Sequence, residues 1–261
     1  MKIRKYFFAL ITVCLLFSGM VVYAGTETTL TVDEIMDKID ERKPDFTTQK
    51  TISEMTTINQ EGKIEEVSEM LMFSQKEEED KTSTLVRVLS PKSSKGITVL
   101  NLKNGEKIRV YMPAYGRVRP ISGSSKQEKF MGTDLSYEDM SMDYEDKDNE
   151  KKLLQETEKE YLIEIIPTGE DASYKKIILS VDKEKFYAKK VEFYDTNDIL
   201  TKTLEIVNIK IDDQGKITPM EIVFTDIVEN HKTKIVIKEI EYNVELSSDF
   251  FSIRTLSKPT L

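Results

Sequence analysis

From Phe46 to the C-terminus, apolar residues recur at every second position between short turn signals. No other feature restricts this chain so tightly, because a period of two fits a half-buried β-strand and no helix. Lys175–Val181 is the cleanest case, with Ile177, Leu179 and Val181 on one face. Similar runs are Phe46–Ile58, Lys63–Ser74, Thr82–Leu89, Gly96–Leu102 and Lys107–Met112, and later Tyr161–Ile166, Phe186–Tyr194, Ile199–Ile209, Lys216–Asp226 and Thr233–Tyr242. Asn59-Gln60-Glu61-Gly62, Ser90-Pro91 and Asn104-Gly105 punctuate the first group; Asp195–Asp198 and Glu229-Asn230-His231 punctuate the second. The pattern predicts a mainly antiparallel β protein of about eleven strands. No fixed-period repeat of the solenoid kind accompanies it.

Two segments break the pattern. Thr31–Arg42 reads as an amphipathic helix: Thr31 and Glu34 form a capping box, Ile35, Met36 and Ile39 share a face, and Pro44 ends it. Pro113 to about Gln155 is polar, aperiodic and punctuated by Gly116, Gly123 and Gly132, and reads as a long ordered loop with short helical turns. Strands that are apolar on one face only must curl and cover that face. The helix and the middle loop are the available covers, and a hollow remains wherever they do not fill the curve. A two-sheet sandwich has the same pattern.

The N-terminus reads as an export signal: Lys2, Arg4 and Lys5, then the apolar run Tyr6–Phe17, then Val22-Tyr23-Ala24, with cleavage expected after Ala24. The remainder, 25–261, is expected to form one domain outside the cytoplasm, in the periplasm. Cys14 is the only cysteine and lies inside the signal, behind Val13, so neither a lipid anchor on this chain nor a disulfide is expected. Removing Lys2, Arg4 and Lys5 takes the formal charge from −9 to −12. So acidic a chain is a poor general ligand for nucleic acid.

Chemistry is sparse. His231 is the only histidine and falls in a predicted turn, where a solvated residue is the ordinary reading. There is no phosphate-cradling glycine loop and no His/Cys cluster, so no catalytic residue, metal or cofactor is expected. Ser122, Ser124 and Ser125 lack acid–base partners nearby in sequence. Asp134, Glu138, Asp139 and Asp143 offer oxygens of the kind calcium prefers but lack EF-hand spacing; a solvated loop is the expectation.

Two motifs in the middle segment carry more. Tyr111-Met112-Pro113-Ala114-Tyr115-Gly116-Arg117-Val118-Arg119 is a Y-x-P-x-x-x-R-x-R run, and Phe130-Met131-Gly132-Thr133-Asp134-Leu135-Ser136-Tyr137-Glu138-Asp139 comes after a serine-containing loop. Leu89-Ser90-Pro91 before Lys95-Gly96, with Val88 in place of an aromatic, and Val191-Glu192-Phe193-Tyr194-Asp195 add to the match. In these the chain resembles the bacterial outer membrane lipoprotein-sorting, LolA-like proteins, from about Asp33 to Leu256. The resemblance implies an unclosed antiparallel half-barrel of about eleven strands, with the N-terminal helix and a helical loop as plug or lid. It also implies a non-enzymatic carrier of acyl chains of a lipid or lipoprotein, with an inner-membrane transporter and an outer-membrane acceptor as partners and no nucleic acid. An envelope-stress sensor of lipid or protein, or an accessory subunit of a lipid-exporting transporter, is the alternative.

The residues expected to line cavity and lid are Met70, Met72, Ile108, Val110, Met112, Arg117, Arg119, Phe130, Met131, Leu179 and Phe193. Methionine adapts to mobile chains, and fills ordinary cores equally well. Arg117 and Arg119 stand two apart and would share a strand face, able to bond lid carbonyls, lipid phosphates or nearby carboxylates. Phe130 and Met131 would pack the loop over the cavity mouth.

Overall fold

A computed structural model describes residues 30–78, 81–142, 146, 148–168 and 172–261. The expected export signal and its expected cleavage after Ala24, and Asp143 of the acidic loop, lie outside the described residues.

The expected helix is α1, Val32–Glu41. Thr31 Oγ1 accepts from the Glu34 N–H and the Glu34 carboxylate accepts from the Thr31 N–H (2.7 Å), so two of the otherwise unsatisfied N-terminal donors are bonded reciprocally. Ile35, Met36 and Ile39 are buried. Arg42, at its end, accepts from the Ile217 N–H and donates to the Gly215 carbonyl.

All strands belong to one antiparallel sheet. The first group is β1 (Thr48–Ile58), β2 (Ile64–Lys76), β3 (Thr82–Ser90), β4 (Thr98–Leu102), β5 (Lys107–Met112) and β6 (Arg117–Ile121). The second is β7 (Glu150–Glu156), β8 (Glu160–Ile166), β9 (Tyr174–Asp182), β10 (Ala188–Asp195), β11 (Leu200–Ile211), β12 (Ile217–Asp226) and β13 (His231–Tyr242). Their spatial order is β6-β5-β4-β3-β2-β1-β13-β12-β11-β10-β9-β8-β7. Each half is a meander, and the halves join only where β1 pairs with β13. β6 and β7 are opposite edges, so the sheet is not closed. Register breaks at Ile52/Ser53, Leu153/Gln155 and Ile206/Asn208 are the irregularities that bend and twist a sheet.

The sheet has 13 strands where the sequence pattern suggests about eleven. The two extra ones, β6 and β7, fall in the segment whose sequence predicts a loop. Both are edges, where only one side is paired. β6 carries Pro120, tolerated because an edge strand can lack a donor. β7 is mostly charged, which is how edges avoid pairing with other chains. His231, expected in a turn, opens β13.

This topology obliges one segment to cross over. The chain leaves one edge at β6 and re-enters at the opposite edge as β7, so the connector between them, described at 122–142, 146 and 148–149, leads from edge to edge. It crosses on the face that presents Met55, Met70, Val88, Val99, Ile108, Val110 and Ile121, and adds Phe130 and Tyr137 to that cluster. The opposite face of the same half holds Phe73, Leu85 and Leu100 under the C-terminal segment, through Phe250 and Leu256; Leu256 belongs to α2 (Ile253–Leu256). Arg87 clamps this segment. Its guanidinium is buried and donates to the carbonyls of Thr255, Leu256 and Lys258 and to Thr98 Oγ1, at 2.8–3.1 Å.

Candidate functional site

The covered face continues into the second half. Thr57, Thr233, Phe224, Leu204, Val191, Leu179, Ile163 and Leu153 are successive cross-strand partners. They form one row across the sheet, since directly opposed residues point the same way. The row carries the apolar face from β1 to the β7 edge.

The connector is built to sit on this face. Lys129 and Ser136 bridge antiparallel, and the Phe130 N–H donates to the Leu135 carbonyl (2.8 Å). Thr133 ties the loop between them, giving its N–H and hydroxyl to the Phe130 carbonyl. Met131 holds φ +51° and Gly132 φ +73°, left-handed conformations that only glycine adopts freely. The tight loop aims Phe130 into the apolar cluster, edge-on to Tyr137 with 6.0 Å between ring centres. Further on, the Met140 carbonyl accepts from Asn101 Nδ2, and Ser141 lies against Gly105 at the β4–β5 turn. A Cβ on Gly105 would stand 2.8 Å from the Ser141 side chain, and its φ of +91° forbids one as well.

The polar side of the connector is bonded to the other half. Asp134 is fully buried; its carboxylate accepts from Thr233 Oγ1 (2.7 Å) and from His231 Nδ1 (2.8 Å), and its N–H donates to Thr233 Oγ1 (2.9 Å). His231 Nε2 faces Glu65 at 3.1 Å, so both ring nitrogens address carboxylates. Burial of His231 opposes protonation, but the hydrogen bonds to Asp134 and Glu65 outweigh it and raise the imidazole pKa above its ordinary value. Lys129 contacts Asp226 (2.8 Å) and Glu229 (2.6 Å); its pKa too is raised, burial being outweighed by these partners. Asp139 accepts from the Ser136 N–H (2.7 Å) and the Tyr174 hydroxyl (2.8 Å) and pairs with Lys202, while Glu138 takes the Ser173 N–H and hydroxyl. Apolar groups of the connector thus enter the first half while Asp134, Glu138 and Asp139 are fixed by the second.

These pairs correct the expectation of a solvated acidic loop, because Asp134, Glu138 and Asp139 are buried and partnered. Nor is His231 a free turn residue. Its partners are Asp134 and Glu65, and the serines at 122–125 have no part in them. Among the described residues no group of three His, Cys, Asp or Glu side chains is placed to hold a metal ion.

Of the expected cavity residues, Met70, Ile108, Val110 and Phe130 are brought together in the buried cluster, with Met112 and Met131 packed half-buried against it. Met72 lies two residues beyond Met70 on β2 and is half-buried. Leu179 and Phe193 are buried in the second half, away from that cluster; the Phe193 ring lies 5.0 Å from Tyr174. Arg119 makes a two-point pair with Glu128 (2.7 and 3.3 Å), which raises the arginine and lowers the carboxyl pKa. Arg117 lies 5.7 Å over the Tyr115 ring. The expected bonds from these two arginines to carbonyls of a covering segment are replaced by those contacts. Arg87 makes such bonds, on the other face, and the sequence offers no sign of it beyond one cation inside an alternating strand.

The connector covers the first-half part of this face. Two surface cavities, of about 220 and 390 Å³, are lined mainly by polar and charged residues, joined in the first by Val228 and the Tyr174 ring. The first lies beside the connector among Lys129, Glu138, Tyr174, Lys202 and Asp226; the second is at Glu158, Lys159 and Lys189. Among the described residues no helix is long and apolar enough to cross a membrane.

An open antiparallel sheet whose apolar face is covered by an edge-to-edge crossing segment is the fold of the LolA-like proteins. Solved structures bear this out. One is a domain named as an outer membrane lipoprotein-sorting protein from Vibrio parahaemolyticus, 24% identical, covering 86% of this chain and 97% of that one at a TM-score of 0.79. A DUF1329 family protein from Desulfovibrio piger is 25% identical over 85% and 96%, at 0.77. A LolA superfamily protein from Nitrosomonas europaea is 19% identical over 87% and 99%, at 0.70. These likenesses carry the fold. No curated protein matches the sequence. A family profile described as "-like: Uncharacterized protein" matches residues 80–258, and the chain belongs to that family. Both motifs that carry the resemblance read from the sequence lie inside that range.

Proposed function

We propose that the protein is an exported, periplasmic carrier that takes the acyl chains of a lipid or lipoprotein onto the face now covered by the connector. The observation that carries this reading is the division of labour in the connector. Its grip on the first half is mainly apolar, with the Arg119–Glu128 pair and the Asn101–Met140 bond as polar additions, and its grip on the second is a set of polar bonds that water can replace.

The energies favour exchange over an empty hollow. Withdrawing Phe130 and Tyr137 from the face costs about 1.5–3 kcal/mol for each side chain, and the half-buried Met131 and Met140 cost less, so ~6–12 kcal/mol is the ceiling for the four together. An acyl chain gains about 0.8 kcal/mol per buried methylene, so a 16-carbon chain offers roughly 12 kcal/mol. One chain balances the plug and two displace it. A covered resting face also spares the protein an exposed apolar patch while unloaded. The carrier requires no catalysis, metal or cofactor.

The test is titration of the purified protein with a fluorescent fatty-acyl probe, together with mass spectrometry of solvent extracts. Saturable uptake is expected, and Asp134→Asn, which weakens the latch, is expected to raise affinity at least several-fold. Absence of uptake by both forms, with no extractable lipid, would overturn the proposal.

A further inference from the structure

The two ends of the sheet differ in a way the covered face does not explain. The β1–β2, β3–β4, β5–β6, β8–β9, β10–β11 and β12–β13 turns all lie at one rim, as the strand registers require. Of eleven exposed large apolar side chains among the described residues, six sit on or beside these turns: Ile64, Tyr115, Ile166, Ile199, Ile227 and Val228. Val228 is 73% exposed and Tyr115 67%. The sixth turn, Pro91–Ile97, carries exposed Lys92 and Lys95 instead. The opposite rim has charged turns, such as Lys183–Lys185 and Asp212–Gln214, and one exposed apolar side chain, Ile211.

The spacing decides what these tips fit. Successive turns of the rim are two strands apart, about 10 Å, with polar turn residues between them. A protein partner needs a contiguous apolar core to exclude water. A bilayer interface buries isolated side chains one at a time and solvates the polar groups between them; a tyrosine suits that level in particular. Lys92 and Lys95, which pair with no described carboxylate, and Arg117 beside Tyr115 place cations where lipid phosphates would lie. The chain as a whole is acidic, which disfavours a strongly anionic surface.

We infer that this rim is a membrane-docking edge, which seats the sheet end-on upon a zwitterionic bilayer. The inference stands apart from the carrier reading, since it concerns the turns and not the covered face, and its test needs no cargo.

The chain has no tryptophan, so an introduced one reports alone. Val228→Trp is expected to show a saturable blue shift in emission with phosphatidylcholine vesicles, while Gln214→Trp, on the opposite rim, shows none. Ile199→Asp combined with Val228→Asp is expected to lower vesicle co-sedimentation at least about tenfold with unchanged circular dichroism and melting. A Val228→Trp signal unmoved by vesicles, an equal shift at both rims, or the same shift with soluble phosphocholine would overturn the inference.

Discussion

Replacing Asp134 with asparagine should free the connector without unfolding the sheet. The carboxylate is fully buried and accepts from the Thr233 hydroxyl and from His231, both within 2.8 Å. Asparagine keeps the shape and loses the charge, so the hydrogen bonds to a charged group, worth about 1.5–3 kcal/mol, fall to neutral ones beside a histidine that still faces Glu65. A local loss of ~2 kcal/mol corresponds to about thirtyfold faster opening, at 1.4 kcal/mol per decade. Hydrogen exchange by mass spectrometry reads this directly, because the Phe130, Thr133 and Tyr137 N–H groups are bonded within the connector itself. Exchange in 128–140 should accelerate roughly to that extent, while β1 and β13 remain protected. If the central strands lose protection in step with the connector, Asp134 supports the sheet as a whole and the latch reasoning is wrong.

The raised pKa of His231 has a sign that can be checked. Its contribution is complete below the ordinary value of 6.5 and is lost as pH rises through the raised folded value, so connector protection should fall across that window, and His231→Gln should flatten the profile. A pH-independent wild type would remove the imidazolium from the latch. Arg87→Leu strands three carbonyls of the C-terminal segment, and should cost about 3 kcal/mol in urea denaturation and expose the tail beyond Asn243 to protease. A protected tail would show that Phe250 and Leu256 suffice.

Local chemistry is legible in the sequence where it is repeated within a few residues. The capping box of α1 and the alternation of β9 are readable because each is decided by neighbours in sequence. β6 and β7 are not, since an edge strand is half solvated and spells its alternation in charged residues or proline. The gathering of Met70, Ile108, Val110 and Phe130 comes from the resemblance, which marks the block Phe130–Asp139 as a cover. The latch comes from neither source. Asp134 and His231 are brought together by the pairing of β1 with β13 and the passage of the connector over both, and nothing local to either residue marks the other. Arg87 escapes a sequence reading for the same reason, as its carbonyl partners lie far along the chain, at 255–258.

The meeting of β1 with β13 also governs how the molecule is assembled. Every other neighbouring pair is consecutive along the chain, so each meander can zip up as it emerges. β1 must wait for the last strand of the sheet, and closing that gap spans more than half the chain. Until then the oldest strand offers a bare row of amide donors and acceptors to any passing polypeptide. A chain of this topology is most exposed to mispairing just before its final strand becomes available.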